Sequence, residues 1–174
     1  MEHLKYPIGR FDREKNDYSL EELLQFVIQI QSLPADLAKL LNGITPEQLQ
    51  LSYRDGGWTV QQILHHLADS HMHAWMRTKF CLAEDNPVIK PYDENVWAAQ
   101  PDYAFHYEAS YILLVGLHQK WSLLLLECLK KPETLLRTFT HPQYGHTYTL
   151  AQLIAQYAWH GRQHTAHIQL ALNS

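Results

Sequence analysis

Apolar positions return every three or four residues through long tracts of this chain, the spacing that lines up one face of an α-helix. At four places a Ser or Thr stands ahead of such a tract with Glu or Gln three residues on: Ser19 with Glu22, Thr45 with Gln48, Thr59 with Gln62, and Thr149 with Gln152. Each pair predicts a capping box, in which the hydroxyl accepts from the N3 amide while the N3 side chain reaches back to the amide of the cap. Three of these starts also carry a hydrophobic staple across the cap, Tyr18 with Leu23, Trp58 with Ile63, and Tyr148 with Leu153. After Thr45 the first helical position is Pro46, where a missing N–H costs nothing.

From these starts a first long helix is expected over residues 20–41, stopped by Asn42 and Gly43 and kinked or broken where Pro34 removes a donor. A short helix follows over 46–50. The second long helix covers 60–84, with Val60, Ile63, Leu64, Leu67, Ala74 and Leu82 at helical spacing. Pro87 and Pro91 exclude regular structure from the connection that follows, apart from one helical turn from Asp93. A third helix is expected over 107–129 and a fourth over 150–172. Between them, residues 135–150 alternate apolar and polar on both sides of Pro142 and Gly145, the pattern of a small β-hairpin. The fold class predicted is all-α, a four-helix bundle with short extra helices and that hairpin. Bundles build cofactor sites from the inward side chains of facing helices.

Composition narrows the function. A chain of 174 residues, 46% apolar and 18% charged, suits one compact domain over 1–174. A net charge of −4 without any cluster of Lys or Arg argues against binding nucleic acid or an anionic membrane and points to a small-molecule partner. No apolar run approaches the ~20 residues that span a bilayer, and the N-terminal stretch lacks the basic start and apolar core of a signal peptide. A cytoplasmic protein is expected. Cys81 and Cys128 are far apart in sequence and read as reduced core cysteines. Twelve histidines are a different matter.

His160 and His164 fall inside the apolar stripe of the fourth helix, which at ~100° per residue is centred on Leu150, Leu153, Ile154, Tyr157 and Ile168. One turn apart, their imidazoles can approach a common point. His167 lies at the edge of the stripe. A buried neutral imidazole must place both ring nitrogens, and leaving one unpartnered costs about 1–3 kcal/mol. A divalent metal relieves two such rings at once, each giving one nitrogen to the ion and donating the other to a supporting acceptor. An H-x-x-x-H pair needs a third ligand from elsewhere. On the second helix His65 points away from the apolar stripe and reads as solvated. His66 flanks the stripe with Asp69 and Ser70 beyond it, His71 faces the centre of the stripe but deeper, and His73 lies nearly two turns from His66. Periodicity leaves His66 and His71 equally placed as the third ligand. His3, His106, His118, His141 and His146 read as ordinary surface or core residues.

The segments "YRDGGWTVQQILHHLADSHMHAW", "YPIG", "IKPYDENVW" and "WHGRQHTAHI" together resemble the YfiT-like proteins of the DinB superfamily, in order and over nearly the whole chain. The resemblance implies a DinB-like four-helix bundle, usually a homodimer, holding one divalent metal, zinc or nickel, through three histidines. Carried over by motif, the ligands are His66, the second histidine of "HHLADSH", and His160 and His164 of "WHGRQHTAH". His167 then supports a ligand or lines the pocket. The family is named for metal-dependent hydrolysis, while the wider superfamily includes transferases and isomerases that use thiols such as bacillithiol or mycothiol.

Three neutral ligands leave a dication uncompensated with an open position, the arrangement of catalytic zinc. Such a site yields a nucleophile from water or from a thiol. The leading expectation is therefore a metal-dependent hydrolase. The runner-up is an S-transferase taking a low-molecular-weight thiol, and a non-catalytic metal-binding module is the reading of another class. Asp69 is the nearest carboxylate for a general acid or base, with a structural role weighing more heavily. Tyr92, Trp97, Tyr157 and Trp159 read as core residues, some of which would wall a ligand pocket.

Overall fold

The computed structural model describes residues 2–173. In chain order the elements are α1 (Glu2–Lys5), α2 (Leu20–Leu41), α3 (Pro46–Leu49), α4 (Val60–Ala83), α5 (Glu94–Ala98), a 3₁₀ turn (Pro101–Ala104), α6 (Glu108–Leu129), α7 (Pro132–Leu135), β1 (Thr138–His141), β2 (His146–Thr149) and α8 (Leu150–Leu172). All four capping boxes form, with both reciprocal hydrogen bonds, at the starts of α2, α3, α4 and α8. Each satisfies two amides that a helix end would otherwise leave bare.

The four long helices close a bundle in which α2 packs on α6 and α8, and α4 packs on the same two. Consecutive long helices α2 and α4 thus stand diagonally opposite, which requires connections that cross the ends of the bundle. One of these connections carries the hairpin, where Thr138 to His141 pair antiparallel with His146 to Thr149. Gly145 supplies the positive φ of its turn. The strand β2 runs straight into the Thr149 cap of α8. Alongside, Arg137 donates to the carbonyls of Cys81 and Glu84, tying the hairpin to the end of α4. By length and composition α6 could cross a membrane, a match that the expectation of no such apolar run did not foresee. Here it lies against α2 and α4.

Pro34 does not break α2, which runs without interruption from Leu20 to Leu41. A proline at 34 has no N–H for the carbonyl of Ile30. That carbonyl accepts from Nδ1 of His118 on α6 instead, so the missing helical bond is replaced by a tertiary one.

The apolar interior is in two parts. One gathers Leu23, Ile30, Trp121, Leu125, Phe139, Leu153 and Tyr157, the other Leu33, Leu37, Ile63, Leu67, Leu114 and Ile168. Every long helix contributes to both parts. Between them stand polar residues: Ser70 and His71 on α4, His118 on α6, and His160, Gln163, His164 and His167 on α8. A layer of imidazoles therefore crosses the bundle between two dry halves. Cys81 and Cys128 are buried and unpaired in the first half, and burial pushes the Cys81 thiol up to about 11.

Candidate metal centre

The neighbouring helices α4 and α8 face each other across this layer. Nε2 of His66 and Nε2 of His160 stand 3.2 Å apart, and one nitrogen from each of His66, His160 and His164 lies within 4.8 Å of the other two. Two nitrogens bound at ~2.0–2.1 Å to one tetrahedral ion would be separated by ~3.3 Å. The observed spacing of His66 and His160 fits that edge. Trp58, stapled at the start of α4, packs its ring at 4.5 Å from His66 and closes that side.

One set of tautomers leaves lone pairs free for an ion, although Nδ1 of His66 and Nδ1 of His71 are buried without a hydrogen-bond partner. His160 can donate from Nδ1 to Nε2 of His71 at 3.1 Å, which leaves Nε2 of His160 as a bare lone pair. His164 can donate from Nδ1 to Nδ1 of His167 at 3.4 Å. His167 in turn donates from Nε2 to the carbonyl of Lys5 at 3.1 Å and stacks on Tyr53 with centroids 4.0 Å apart. Two of the three candidate ligands thus have one nitrogen engaged by another imidazole and the other directed at the shared point. This is the support that metal-binding histidines ordinarily receive.

The electrostatics favour lone pairs. Burial, and then the nearby His164, hold His66 far below the usual imidazole range. Burial does the same for His160, followed by its neighbours His66, His167 and Arg77, and for His164, followed by His160 and His167. All three are neutral at pH 7. Three uncharged donors converging with no carboxylate among them fit a divalent cation that keeps its charge and an open position.

His71 is not in this trio. Fully buried, it stacks on His118 at 4.9 Å and braces His160. His73 lies against Tyr92 at 4.3 Å. The reading of His65 as solvated is corrected: its side chain is buried, with Nδ1 2.8 Å from Ser110 Oγ and Nε2 3.0 Å from the Phe105 carbonyl. The segment around the 3₁₀ turn folds over what would otherwise be the outer face of α4. The same segment takes Asp69, whose Oδ2 accepts from the Tyr103 hydroxyl at 2.7 Å. Burial raises the Asp69 carboxyl, but Asp69 does not line the cavity at the histidines, so its structural role is the one the geometry supports.

That cavity has a volume of about 490 Å³ and is lined by all three histidines and by His141 and His167. Of the aromatic residues singled out in the sequence, Tyr92, Tyr157 and Trp159 wall it, whereas Trp97 packs on His73 and Tyr92. Tyr53 and Arg54, from the "YRDGGW" turn, also reach it. Sequence reasoning passed over Arg77. It is a buried lining residue that donates from Nη1 to the Tyr157 hydroxyl at 3.3 Å. Its signal was a charged residue at core spacing between Ala74 and Cys81.

One edge of the site is built by chain far away in sequence. Along one face of α8, Gln152, Trp159, Gln163 and His167 donate to backbone carbonyls of the leading segment. Gln152 reaches Arg13 and Lys15, Trp159 reaches Gly9, and Gln163 and His167 share Lys5.

Comparison with known proteins places these features in context. Residues 29–168 match the family profile described as the DinB superfamily. A Bacillus cereus protein named as a candidate metal-dependent hydrolase is 44% identical over 168 residues, covering 97% of this chain and 95% of its own length. A Bacillus thuringiensis protein with the same kind of name matches to the same extent. Among solved structures, YfiT from Bacillus subtilis superposes with a TM-score of 0.90 at 38% identity, over 96% of this chain and 94% of that one. It is described as a probable metal-dependent hydrolase with an unusual four-helix bundle topology.

Proposed function

This chain belongs to the DinB superfamily, and on that premise we propose that it is a metal-dependent hydrolase in which His66, His160 and His164 hold one divalent ion, zinc or nickel. The observation that carries the reading is the convergence of three neutral imidazole nitrogens within 4.8 Å of one another at the wall of a cavity of about 490 Å³. The relatives named for metal-dependent hydrolysis support it. A divalent ion held by three uncharged nitrogens supplies Lewis acidity and a nucleophile at neutral pH.

The chain's own residues do the rest. His71 and His167 stand where they can accept from Nδ1 of His160 and of His164, which would hold the other nitrogen of each ring as a lone pair for the ion. Trp58, Tyr92 and Tyr157 add aromatic surface to a cavity that is otherwise largely polar, a mixture suited to a small substrate carrying polar groups. A cavity of this volume is in the usual range for one small molecule.

Purified protein should contain about one equivalent of zinc or nickel by elemental analysis, and His160→Ala or His164→Ala should lose it. Retention of the ion at full stoichiometry in either variant would overturn the ligand assignment. Hydrolysis of small chromogenic esters and amides should be measured with and without bacillithiol. Turnover that requires the thiol would replace the hydrolase reading with thiol transfer.

A further inference from the structure

The chain carries a net charge of −4, yet the cavity at the three histidines is bordered by Lys5, Arg13, Arg54 and Arg77 against a single acid, Glu94. The formal charges lining the site are therefore net positive, opposite in sign to the charge of the whole chain. Arg77 stands apart within this set. It is only 9% exposed, and among the described residues no carboxylate pairs with it. Among the described residues its side chain hydrogen-bonds to the Tyr157 hydroxyl, and its Nε is buried without a partner. A guanidinium offers five N–H groups and ordinarily meets a carboxylate or phosphate through two of them. Burying that charge without a counterion is costly unless something else supplies one.

The position of Arg77 says where the counterion would sit. Its partner Tyr157 packs at 5.4 Å from His160, so the guanidinium is one aromatic ring removed from the candidate ion site. Its charge is also felt at His141 and His160, where it helps keep both imidazoles neutral. Resting on the reading of this cavity as a substrate pocket, we propose that Arg77 recognises an oxyanion, a carboxylate or phosphate, carried by the substrate. The anionic end of a small molecule pairs with Arg77 while its reactive end lies at His66, His160 and His164. Lys5, Arg13 and Arg54 add long-range attraction for the same charge.

Calorimetric titration of the metal-loaded and the metal-free protein with malonate, inorganic phosphate and the uncharged malonamide tests this. Malonate or phosphate should bind saturably in both forms and malonamide in neither. Arg77→Gln should weaken anion binding by ~10-fold or more, with Arg77→Lys between the two, since charge-assisted bonds to a buried arginine carry that much. The metal content of both variants should be unchanged. Equal binding of malonate and malonamide would overturn the proposal, as would undiminished anion binding by Arg77→Gln. The malonate and malonamide comparison needs no variant, so anion preference is tested even if Arg77→Gln does not fold, and the place of the anion in a malonate-soaked crystal then tests Arg77 itself. In a crystal soaked with malonate, an anion on the ion alone and off Arg77 would likewise overturn it. Anion binding through Arg77 in a protein that hydrolyses nothing would leave this inference standing and remove the hydrolase reading.

Discussion

Nε2 of His71 lies 3.1 Å from Nδ1 of His160, while Nε2 of His160 faces His66. In the tautomer in which His160 donates from Nδ1 to His71, it presents a bare Nε2 at 3.2 Å from that of His66. The two residues that periodicity could not choose between therefore divide the work: His66 meets His160 on the side of the shared point, and His71 meets it from behind.

His71→Phe keeps a ring of similar size but removes the acceptor. Zinc affinity, measured by competition with a chromophoric chelator, should fall by ~10–100-fold, the usual cost of losing such support. His71→Asn, which retains an acceptor, should recover part of it. Unchanged affinity in His71→Phe would show that His160 needs no brace.

Acid should destabilise the metal-free protein well above the range in which carboxylates titrate. Burial holds His118 down to about 4, whereas an unfolded histidine titrates near the ordinary imidazole value of about 6.5. The unfolded chain thus takes up the proton first as pH falls. The stability that His118 contributes by staying neutral is complete above about pH 6.5 and is lost progressively down to about pH 4, amounting to roughly 3 kcal/mol. His66, His71, His160 and His164 are also lowered by burial and act in the same direction. Urea denaturation at about pH 7.5 and about pH 5 should show the midpoint dropping steeply. A flat profile would contradict the neutral imidazole layer.

Thr78 offers a test of the dry half of the core. Its hydroxyl accepts from Nε1 of Trp121 at 3.0 Å and donates to the Ala74 carbonyl at 3.0 Å. Thr78→Val preserves the shape but strands the buried indole N–H, which should cost about 1–3 kcal/mol in urea unfolding. Thr78→Ser should cost less, and neither should alter metal content.

What could be read from the sequence was what local chemistry encodes. The four capping boxes announced four helix starts because both partners lie three residues apart, and the His160–His164 pair was visible because one helical turn separates them. Pro34 misled for the converse reason. Its effect on α2 is cancelled by His118, a residue 84 positions away in sequence. His65 was misjudged because Phe105, which covers it, lies in a segment with no periodic signal, and Ser110, at the start of α6, meets it only across the fold. Arg77 was overlooked because a charge at core spacing has meaning only once the cavity beside it is known.

The row of donors on α8 that fastens the leading segment has a wider consequence. His167 touches both His164 and the Lys5 carbonyl, so an ion at His164 and the anchoring of residues 2–15 should be thermodynamically linked. Whatever an ion gains from an anchored strap, the strap must gain from the ion, in equal measure. Trypsin, which cuts after Lys5, Arg10, Arg13 and Lys15, becomes a gauge of how full the site is.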